Sequence, residues 1–416
     1  MSAVLQPATL DEWLHWQESL HPRSIELGLE RVGEVADRLG LRPFPARVIT
    51  VGGTNGKGSC ALLLEALLGG RVGTYTSPHL LRYNERIRID GIPVADSALV
   101  TACEEVEQAR GDTALTYFEF GTLAALWLFA RAGLDTVVLE VGMGGRLDAV
   151  NILDADVALV TNVGLDHVDW LGADREAIGR EKAGIYRRGR PAVCADRDPP
   201  ASLVAAGARS QFHRLGGDFN LGQEPERWCW RDWQGRELTL APMPNVLPDN
   251  LAAALAVLTA LGVCPQADAL HSALAGFCAP GRRQRFAGEV EMVLDVAHNT
   301  EAMALLATWL ADHPVPGRTR LVVGMLANKP VAEATQMLAG VADEWYAAGL
   351  PQTDRGLDGA ALAAQLPAAA MVCADAVCAC TQARAASNPG DRVVVCGSFY
   401  TVGAILAHPE AELWMT

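Results

Sequence analysis

The sequence contains no apolar run long enough to cross a lipid bilayer. Its longest apolar segment, residues 251–263, has 13 residues, whereas a membrane-spanning helix needs about 20. The N-terminal sequence MSAVLQPATLDEWLHWQ also lacks the basic start and apolar stretch of a secretory signal. We therefore expect a cytoplasmic protein with no membrane partner.

Positive charge is scarce as well. The 416 residues include 34 Lys and Arg against 49 Asp and Glu, which gives a formal net charge of -15. Because the cations are scattered along the chain, we expect no basic face for nucleic acid. Anionic substrates would need cations that are supplied locally.

Paired metal-binding cysteines are missing. Ten cysteines occur, but their one cluster, Cys373, Cys378 and Cys380, lacks the C-x-x-C pairs of a zinc site. Buried thiols in a reducing compartment are the favoured interpretation. The G-x-S-x-G motif of a serine nucleophile is absent too.

What the sequence does contain is RVITVGGTNGKGSC at residues 47–60. Its β-branched start predicts a buried strand, and CALLLEALL at residues 60–68 predicts the helix that follows. Strand, glycine-rich turn and helix form a phosphate-binding P-loop, in which Lys57 supplies a full positive charge. Gly58 separates Lys57 from Ser59, so the strict spacing of the motif is not met. A glycine-rich connection with an exposed lysine is the structural alternative.

Alternating strands and helices predict an α/β fold, with a P-loop, mostly parallel sheet domain followed by a smaller Rossmann-like α/β domain. The sequence APGRRQR at residues 279–285 marks the boundary, which gives domains 1–283 and 289–416. Ligand loops are expected at the carboxyl ends of the parallel strands, just after residues 51, 76, 141 and 163.

Three further segments carry local predictions. Residues 77–91 have many charges and few helix signals, and we expect a long surface loop there. Residues 219–240 are rich in Trp and turn residues, which indicates an antiparallel excursion. Residues 360–386 are rich in alanine, which favours helix.

Acidic and imidazole side chains follow two of the predicted strands. Glu140 ends one of them, and His167 lies between Asp166 and Asp169 after the next. A carboxylate and an imidazole there would hold Mg²⁺ against ATP phosphates, although imidazole is a less usual magnesium ligand and a structural role for it stays open. GMGG at residues 142–145 suggests a dinucleotide fingerprint, but Leu147 at the third glycine position disfavours a dehydrogenase.

Nine segments together closely resemble the bacterial bifunctional dihydrofolate synthase/folylpolyglutamate synthase family. Their order and joint presence are far more specific than a lone P-loop, and they extend over nearly the entire chain. They are GTNGKGS (53–59), SPHL (77–80), YFEF (117–120), EVGMGGRLDAVN (140–151), LDHVDWLG (165–172), EKAGI (181–185), PGR (280–282), DVAHN (295–299) and CGSFYTVG (396–403).

The resemblance implies an ATP-dependent ligase. ATP would phosphorylate a substrate carboxylate, and the amine of L-glutamate would attack the acyl phosphate to form an amide. The implied small-molecule substrates are ATP, L-glutamate, dihydropteroate and reduced folates, and two Mg²⁺ ions are the implied cofactors. A monomer is expected. The first domain would bind ATP and folate, and the second would be the glutamate ligase domain.

The resemblance also implies site residues. Those for ATP are Gly53, Thr54, Asn55, Gly56, Lys57, Gly58, Ser59, Asn250, Arg282, Asp295 and His298. Those for the metal ions are Ser77 and Glu140 for the first, and His167 with Lys182 for the second. Those for the pterin or folate are Leu20, His21, Thr116, Tyr117, Phe118, Glu119, Leu147, Asp148 and Ala149. Lys57, His167 and Lys182 are the implied catalytic residues.

Lys182 follows the LDHVDWLG loop, at a place where these ligases carry a carbamylated lysine. From the residues alone, an exposed lysine paired with Glu181 or another acid is favoured. Structural alternatives also exist for other members of the set: core packing for Phe118, and caps for Asp148 and Asn250.

Two positions depart from the family pattern: Thr300 replaces the usual proline of DVAHNP, and Tyr400 replaces the usual histidine of GSFHTVG. Two competing functions stay open. One is a murein-type peptide ligase, which shares the GTNGK core but usually has Ser or Thr directly after the lysine. The other is an ATP-binding module without ligase activity.

Overall fold

A computed structural model describes residues 7–21, 25–243, 246–409 and 411 of the chain. They form two compact units. The first contains residues up to 79 and residues 83–277, and the second contains residues 80–82 and the chain from residue 278 onward. This division lies slightly before the boundary expected from the sequence. It places Arg282 in the second unit.

An eight-stranded sheet forms the centre of the first unit, in the order β4-β3-β2-β5-β1-β6-β7-β8. All neighbours pair in parallel except β2 with β3 and β3 with β4. The strands are β1 (Arg47–Gly52), β2 (Val72–Tyr75), β3 (Ile87–Ile89), β4 (Ile92–Pro93), β5 (Thr136–Glu140), β6 (Val157–Val160), β7 (Pro191–Cys194) and β8 (Gln211–Arg214).

Helices cover both faces of this sheet, because its central strands are apolar on both sides. The helices are α1 (Leu10–Ser19), α2 (Glu30–Arg38), α3 (Lys57–Leu67), α4 (Asp96–Arg110), α5 (Tyr117–Arg131), α6 (Val168–Leu171), α7 (Arg175–Ala183), α8 (Ala201–Gly207), α9 (Pro248–Ala260) and α10 (Ala267–Leu274). One core contains residues of α1, α2, α4 and α5, and the opposite core contains residues of α3, α9 and α10.

The excursion predicted at residues 219–240 is confirmed as a three-stranded antiparallel sheet. Its strands are β9 (Asn220–Gln223), β10 (Trp228–Arg231) and β11 (Glu237–Leu240). Trp228 and Trp230 alternate with exposed neighbours along β10 and are buried. Their burial anchors the small sheet in the same core as α3 and α9.

The second unit is built on a six-stranded sheet in the order β12-β13-β17-β14-β15-β16. Only β12 pairs antiparallel with its neighbour. Its strands are β12 (Gln284–Phe286), β13 (Glu291–Leu294), β14 (Thr319–Val323), β15 (Glu344–Ala348), β16 (Ala370–Cys373) and β17 (Arg392–Cys396). The predicted fold class, two successive α/β domains of which the second is smaller, is confirmed.

The helices of the second unit also lie on both faces of its sheet. They are α11 (Thr300–Asp312), α12 (Val331–Gln336), α13 (Gly359–Ala363), α14 (Ala376–Ala385) and α15 (Phe399–Leu406). Residues of α11, α12 and α13 fill one core, and residues of α14 and α15 fill the other. Among the described residues, none of the helices combines the length and apolarity needed to span a membrane.

Two local predictions were wrong. The stretch 77–91 is not simply a loop, because β3 pairs with β2 and extends the main sheet. The alanine-rich stretch 360–386 is not a continuous helix, since β16 separates α13 from α14. Pairing of β16 with β15 overrides the helix propensity of alanine there. All ten cysteines are unpaired; in the cluster, Cys373 and Cys380 are buried and Cys378 is half-buried.

Arg320 is a buried cation in the second unit. Its guanidinium pairs with Asp391 at 2.6 Å and with Glu344 at 2.8 Å. The pKa of Asp391 is lowered from 3.8 to about 2, because backbone N–H groups of Asn388 and Arg318, together with Arg320, favour the carboxylate. The stabilisation from this shift is present above pH 3.8 and is lost as the pH falls toward 2.

We expect Arg320→Leu to lower the free energy of unfolding of this unit by about 3–5 kcal/mol at pH 7, because it leaves buried Asp391 without its cation. The difference from wild type should shrink between pH 4 and pH 2. Urea unfolding followed by hydrogen exchange of β14 and β17 measures both effects. Arg318→Leu is the matched control: Arg318 bonds the same Glu344 at 2.7 Å but is 65% exposed, so its loss should be under about 1 kcal/mol. Equal losses of unfolding free energy in the two variants would contradict the role of Arg320 as the cation for buried Asp391.

Candidate functional site

The glycine-rich loop between β1 and α3 has the backbone shape of a phosphate-binding loop. Gly53 and Gly56 adopt φ angles of +142° and +81°, which favour glycine. A Cβ at Gly53 would lie 1.8 Å from Oγ1 of Thr161, and one at Gly56 would lie 2.8 Å from Oδ1 of Asn250. The loop thus packs directly on Asn250, a residue that the family resemblance predicts for the nucleotide site.

Lys57 begins α3, at the end where the backbone N–H groups point out of the helix. These groups carry partial positive charge and bind anions. The Nζ of Lys57 donates to the backbone oxygen of Thr54 at 3.1 Å, which folds the side chain back over the loop. The loop therefore presents one full positive charge beside a helix N-terminus.

Glu140 lies next to the glycine loop, at the carboxyl end of β5. It is buried, and its Oε2 accepts a hydrogen bond from the backbone N–H of Ser77 at 2.9 Å. A Cβ at Gly58 would lie 3.3 Å from the same oxygen. The extra glycine that breaks the strict P-loop spacing therefore makes room for this carboxylate. Ser77, Glu140 and the start of α3 come together because β2 and β1 both pair in parallel register with β5.

His167 and Lys182 follow β6. His167 has a φ of +52°, in the left-handed region that non-glycine residues rarely adopt, and it is exposed between Leu165 and Trp170. Lys182 lies in the last turn of α7 with only 3% of its surface exposed. The exposed lysine favoured from the residues alone is therefore wrong. Among the described residues, no three His, Cys, Asp or Glu side chains gather into a metal cluster.

The predicted pterin residues at the start of α5 form a bonded network. Thr116 caps the helix, and its N–H and hydroxyl donate to Oε2 of Glu119 at 2.8 and 2.9 Å. Arg31 pairs with Glu119 at 2.9 Å and with Glu26 at 2.8 Å, and His21 lies 3.3 Å from Glu26. The structure thus connects His21 to Glu119 through two residues that the sequence interpretation missed.

Phe118 and Asp148 lie close to Gly142. A Cβ there would fall 2.6 Å from the ring of Phe118, so the ring packs on bare backbone. The carboxylate of Asp148 accepts hydrogen bonds from the N–H groups of Met143 at 2.8 Å and Val150 at 3.1 Å. The second bond caps a short 3-10 helix, which is the structural role considered for this residue.

Burial raises the pKa of Asp148 from 3.8 to about 7, and the backbone N–H donors and Lys57 oppose the rise. Its carboxyl group thus titrates near neutrality. The other predicted pterin residues surround this region in different ways: Ala149 is buried, Leu20 and Leu147 are half-buried, and Tyr117 packs edge-on against Tyr83.

The second unit brings together three residues predicted for the nucleotide. The guanidinium of Arg282 lies 4.8 Å above the centre of the Phe399 ring. The centres of the His298 and Phe399 rings are 6.3 Å apart. Asp295, just after β13, accepts from the N–H groups of Ala297 at 2.7 Å and Arg283 at 2.9 Å. Burial raises its pKa. Phe399 was missed, although it stands in the quoted segment CGSFYTVG.

The two departures from the family pattern lie at helix starts of this unit. Thr300 is the first residue of α11, which Asn299 caps through a bond to the N–H of Ala302 at 2.9 Å. Proline is favoured at that position because it needs no N–H partner, and threonine is accommodated there. Tyr400 is the second residue of α15 and is 37% exposed.

Comparison with known proteins agrees with this geometry. Residues 51–224 match the Mur ligase middle domain, and residues 281–399 match the Mur ligase glutamate ligase domain. The dihydrofolate synthase/folylpolyglutamate synthase of Escherichia coli K12 is 45% identical over 410 residues, which cover 97% of this chain and 96% of the relative. The chain belongs to the dihydrofolate synthase/folylpolyglutamate synthase family. The Haemophilus influenzae member is 37% identical over 97% of both chains.

Solved structures of this family resemble the whole chain. The E. coli protein in complex with DHPP and ADP is 43% identical, with a TM-score of 0.93 over 98% of this chain and all of that one. A bifunctional folylpolyglutamate synthase/dihydrofolate synthase with Mn, AMPPNP and L-glutamate bound is 45% identical, with a TM-score of 0.90 over 96% of this chain and 98% of that one. These relatives bind a nucleotide and, in the second case, a divalent metal.

Proposed function

We propose that the chain is an ATP-dependent ligase that adds L-glutamate to dihydropteroate, forming dihydrofolate, and to folyl-(poly)glutamates. The observation that carries the proposal is the meeting of Lys57, Ser77 and Glu140 around the glycine loop. Membership of the family agrees with it, as does the full-length similarity to bifunctional relatives. A murein-type peptide ligase is less well supported, because the relatives that are 45% and 37% identical over 97% of this chain are dihydrofolate synthase/folylpolyglutamate synthases.

The reaction has two steps. The γ-phosphoryl group passes from ATP to a carboxylate oxygen of the acceptor, which gives ADP and an acyl phosphate. The glutamate amine then attacks the acyl carbon, and the bond between that carbon and the phosphate oxygen breaks. Phosphate leaves, the amine loses a proton, and the amide is formed. No enzyme nucleophile is needed, so positioning and charge neutralisation supply the catalysis.

Oxygen donors suit the proposed magnesium site. The buried carboxylate of Glu140 and the hydroxyl of Ser77 are hard ligands, and Mg²⁺ binds few protein oxygens besides water and phosphate. A bound Mg²⁺ would neutralise part of the phosphate charge. Lys57 and the α3 N-terminus hold the same phosphates from the protein side. Asn250 borders the loop. Arg282, Asp295 and His298 are further proposed nucleotide residues.

Phe118 and Asp148 are the proposed pterin contacts. The Phe118 ring offers a flat apolar face, and the ionised Asp148 accepts hydrogen bonds from pterin N–H groups in addition to its backbone donors. Thr116, Tyr117, Glu119, Leu147, Ala149, Leu20 and His21 are the proposed surroundings. Since Glu119 already bonds Arg31 and Thr116, we propose that it positions α5 and does not bind the substrate directly.

A reducing compartment such as the cytoplasm is the proposed location. All ten cysteines are unpaired, and three of them, Cys229, Cys264 and Cys278, are exposed. Exposed thiols persist where glutathione and thioredoxin keep them reduced.

Lys57→Ala tests the nucleotide assignment. We expect phosphate release and glutamate incorporation to fall at least about 100-fold, because a preorganised charge at the transferring phosphoryl group is lost. The melting temperature should stay near that of wild type, since Lys57 is half-buried and its Nζ bonds a backbone oxygen of the loop. Arg71→Ala, at an exposed ion pair with Asp90 in the same unit, is the control and should keep full activity. Full activity of Lys57→Ala would refute the assignment.

Asp148→Ala tests the pterin contact. We expect kcat/KM for dihydropteroate to fall about 10- to 100-fold, the size of a lost bond to a charged group, and folate extension to fall less. In wild type, kcat/KM for dihydropteroate should decrease as the pH drops below 7, because Asp148, with a pKa of about 7, becomes protonated. The variant should lose this dependence. Asp154→Ala, whose side chain is 71% exposed, is the control. Equal losses for both acceptors would contradict the contact.

Lys182→Ala tests a carbamate at the proposed second magnesium site, beside His167. A neutral amine adds CO₂ and releases a proton to give an anionic oxygen ligand, and Lys182 is 3% exposed. We expect Lys182→Ala and Lys182→Arg to be nearly inactive, and small carboxylates to restore part of the rate only in the alanine variant. A bare amine at Lys182 in the Mg-ATP complex, with full activity in CO₂-depleted buffer, would exclude the carbamate.

A further inference from the structure

The glycine loop is bonded to the segment that follows β6. The N–H groups of Thr54 and Asn55 both donate to Oδ1 of Asn162, at 3.1 and 2.8 Å. The Thr54 N–H also lies 3.0 Å from the backbone oxygen of Asn162. One carboxamide oxygen thus collects two adjacent N–H groups of the loop.

The side chain of Thr54 bonds the backbone of the same segment. Its hydroxyl donates to the backbone oxygen of Gly164 at 3.2 Å and accepts from the N–H of Gly164 at 2.9 Å. The side chain of each segment therefore binds the backbone of the other. Thr161 adds a bond from its hydroxyl to the backbone oxygen of Asn55 at 2.6 Å.

The residue between these two contacts is also held by hydrogen bonds. Val163 donates its N–H to Asp196 at 2.8 Å, and its backbone oxygen accepts from Arg175 at 2.8 Å. Arg175 and Asp196 pair with each other at 3.2 Å. Three consecutive residues, 162 to 164, are thus fixed, and the chain beyond them carries exposed Leu165 and the left-handed His167.

We propose that Thr54 and Asn162 are positioning residues that form a reciprocal clamp between the nucleotide loop and the His167 segment. The proposal rests on the proposed function and refines it. In the clamp, the hydroxyl of Thr54 and the N–H groups of Thr54 and Asn55 bond protein atoms. The clamp does not use the N–H groups of residues 56–59 or the Lys57 side chain, and we assign these to the phosphates. Thr54 acts on the nucleotide through the shape of the loop.

The clamp also ties the two predicted metal regions together. His167 lies three residues beyond Gly164, and Glu140 lies against Gly58 in the loop itself. A change in either clamp side chain should therefore alter both the affinity for the nucleotide and the dependence on Mg²⁺. A role in folding stability alone would change the melting temperature and leave both of these unaltered.

The test uses Thr54→Val, Thr54→Ser, Asn162→Ala and the double variant Thr54→Val/Asn162→Ala. Valine keeps the shape of threonine and removes the hydroxyl, whereas serine keeps the hydroxyl. Thr335→Val in the second unit is the control, because Thr335 is buried and its hydroxyl bonds one helix carbonyl at 2.8 Å. Calorimetry measures the affinity for ADP with saturating Mg²⁺, and a Mg²⁺ titration of phosphate release gives the half-saturating concentration.

We expect Thr54→Val and Asn162→Ala each to weaken Mg-ADP binding about tenfold, which corresponds to about 1.4 kcal/mol, and to raise the half-saturating Mg²⁺ concentration. Thr54→Ser should stay within about twofold of wild type. The double variant should bind Mg-ADP no more weakly than the weaker-binding single variant, because the effects of substitutions in residues that act as a unit are not additive. Thr335→Val should change only the melting temperature.

Wild-type binding by Thr54→Val, equal weakening by Thr54→Ser, or additive losses in the double variant would overturn the clamp. The calorimetric arm needs no acceptor substrate. Suppose that the variants weaken Mg-ADP binding as expected, but the wild-type protein joins glutamate to no pterin acceptor. The clamp then stands and the proposed function fails.

Discussion

The parallel register of four adjacent strands is the constraint on which the rest of the first unit depends. In the order β2-β5-β1-β6, Tyr75 pairs with Leu139, Val51 with Glu140, and Gly52 with Val160. Their carboxyl ends are therefore level, and the segments that follow them meet at one edge. Shifting one strand by a single residue would turn its side chains to the other face of the sheet and would remove Glu140 from the glycine loop.

This arrangement answers an electrostatic problem of the proposed reaction. A triphosphate, an acceptor carboxylate and glutamate all carry negative charge, and two like charges about 4 Å apart repel by about 4 kcal/mol at an effective dielectric near 20. In a chain with a net charge of -15, the opposing charge has to be local. Lys57 and the start of α3 provide it at the strand ends, and the oxygen donors of Ser77 and Glu140 suit a divalent cation.

Strong local patterns were predicted correctly, and contacts between distant segments were not. The apolar runs of β1, β5 and β6 and the glycine loop define their own structure, so the fold class followed from the sequence. The ends of β1, β2 and β5 followed to within one residue, whereas β6 ends at Val160, three residues before its expected end. Residues 77–91 and 360–386 were misjudged because β3 and β16 form through pairing with another strand, which local propensity does not contain. Asn162 bonds the loop across 107 and 108 residues of chain, and Arg31 reaches Glu119 across 88; no local signal marks either pair.

The burial of Lys182 has a consequence for chemical labelling. Lysine occurs at only three positions of the sequence, Lys57, Lys182 and Lys329, while arginine accounts for the remaining cations. An amine-selective reagent therefore has very few side-chain targets in this protein, and one of them lies 3% exposed in the last turn of α7. Peptide mapping after brief acylation would report on the glycine loop with almost no surface background, and protection of Lys57 would register occupancy of that loop directly.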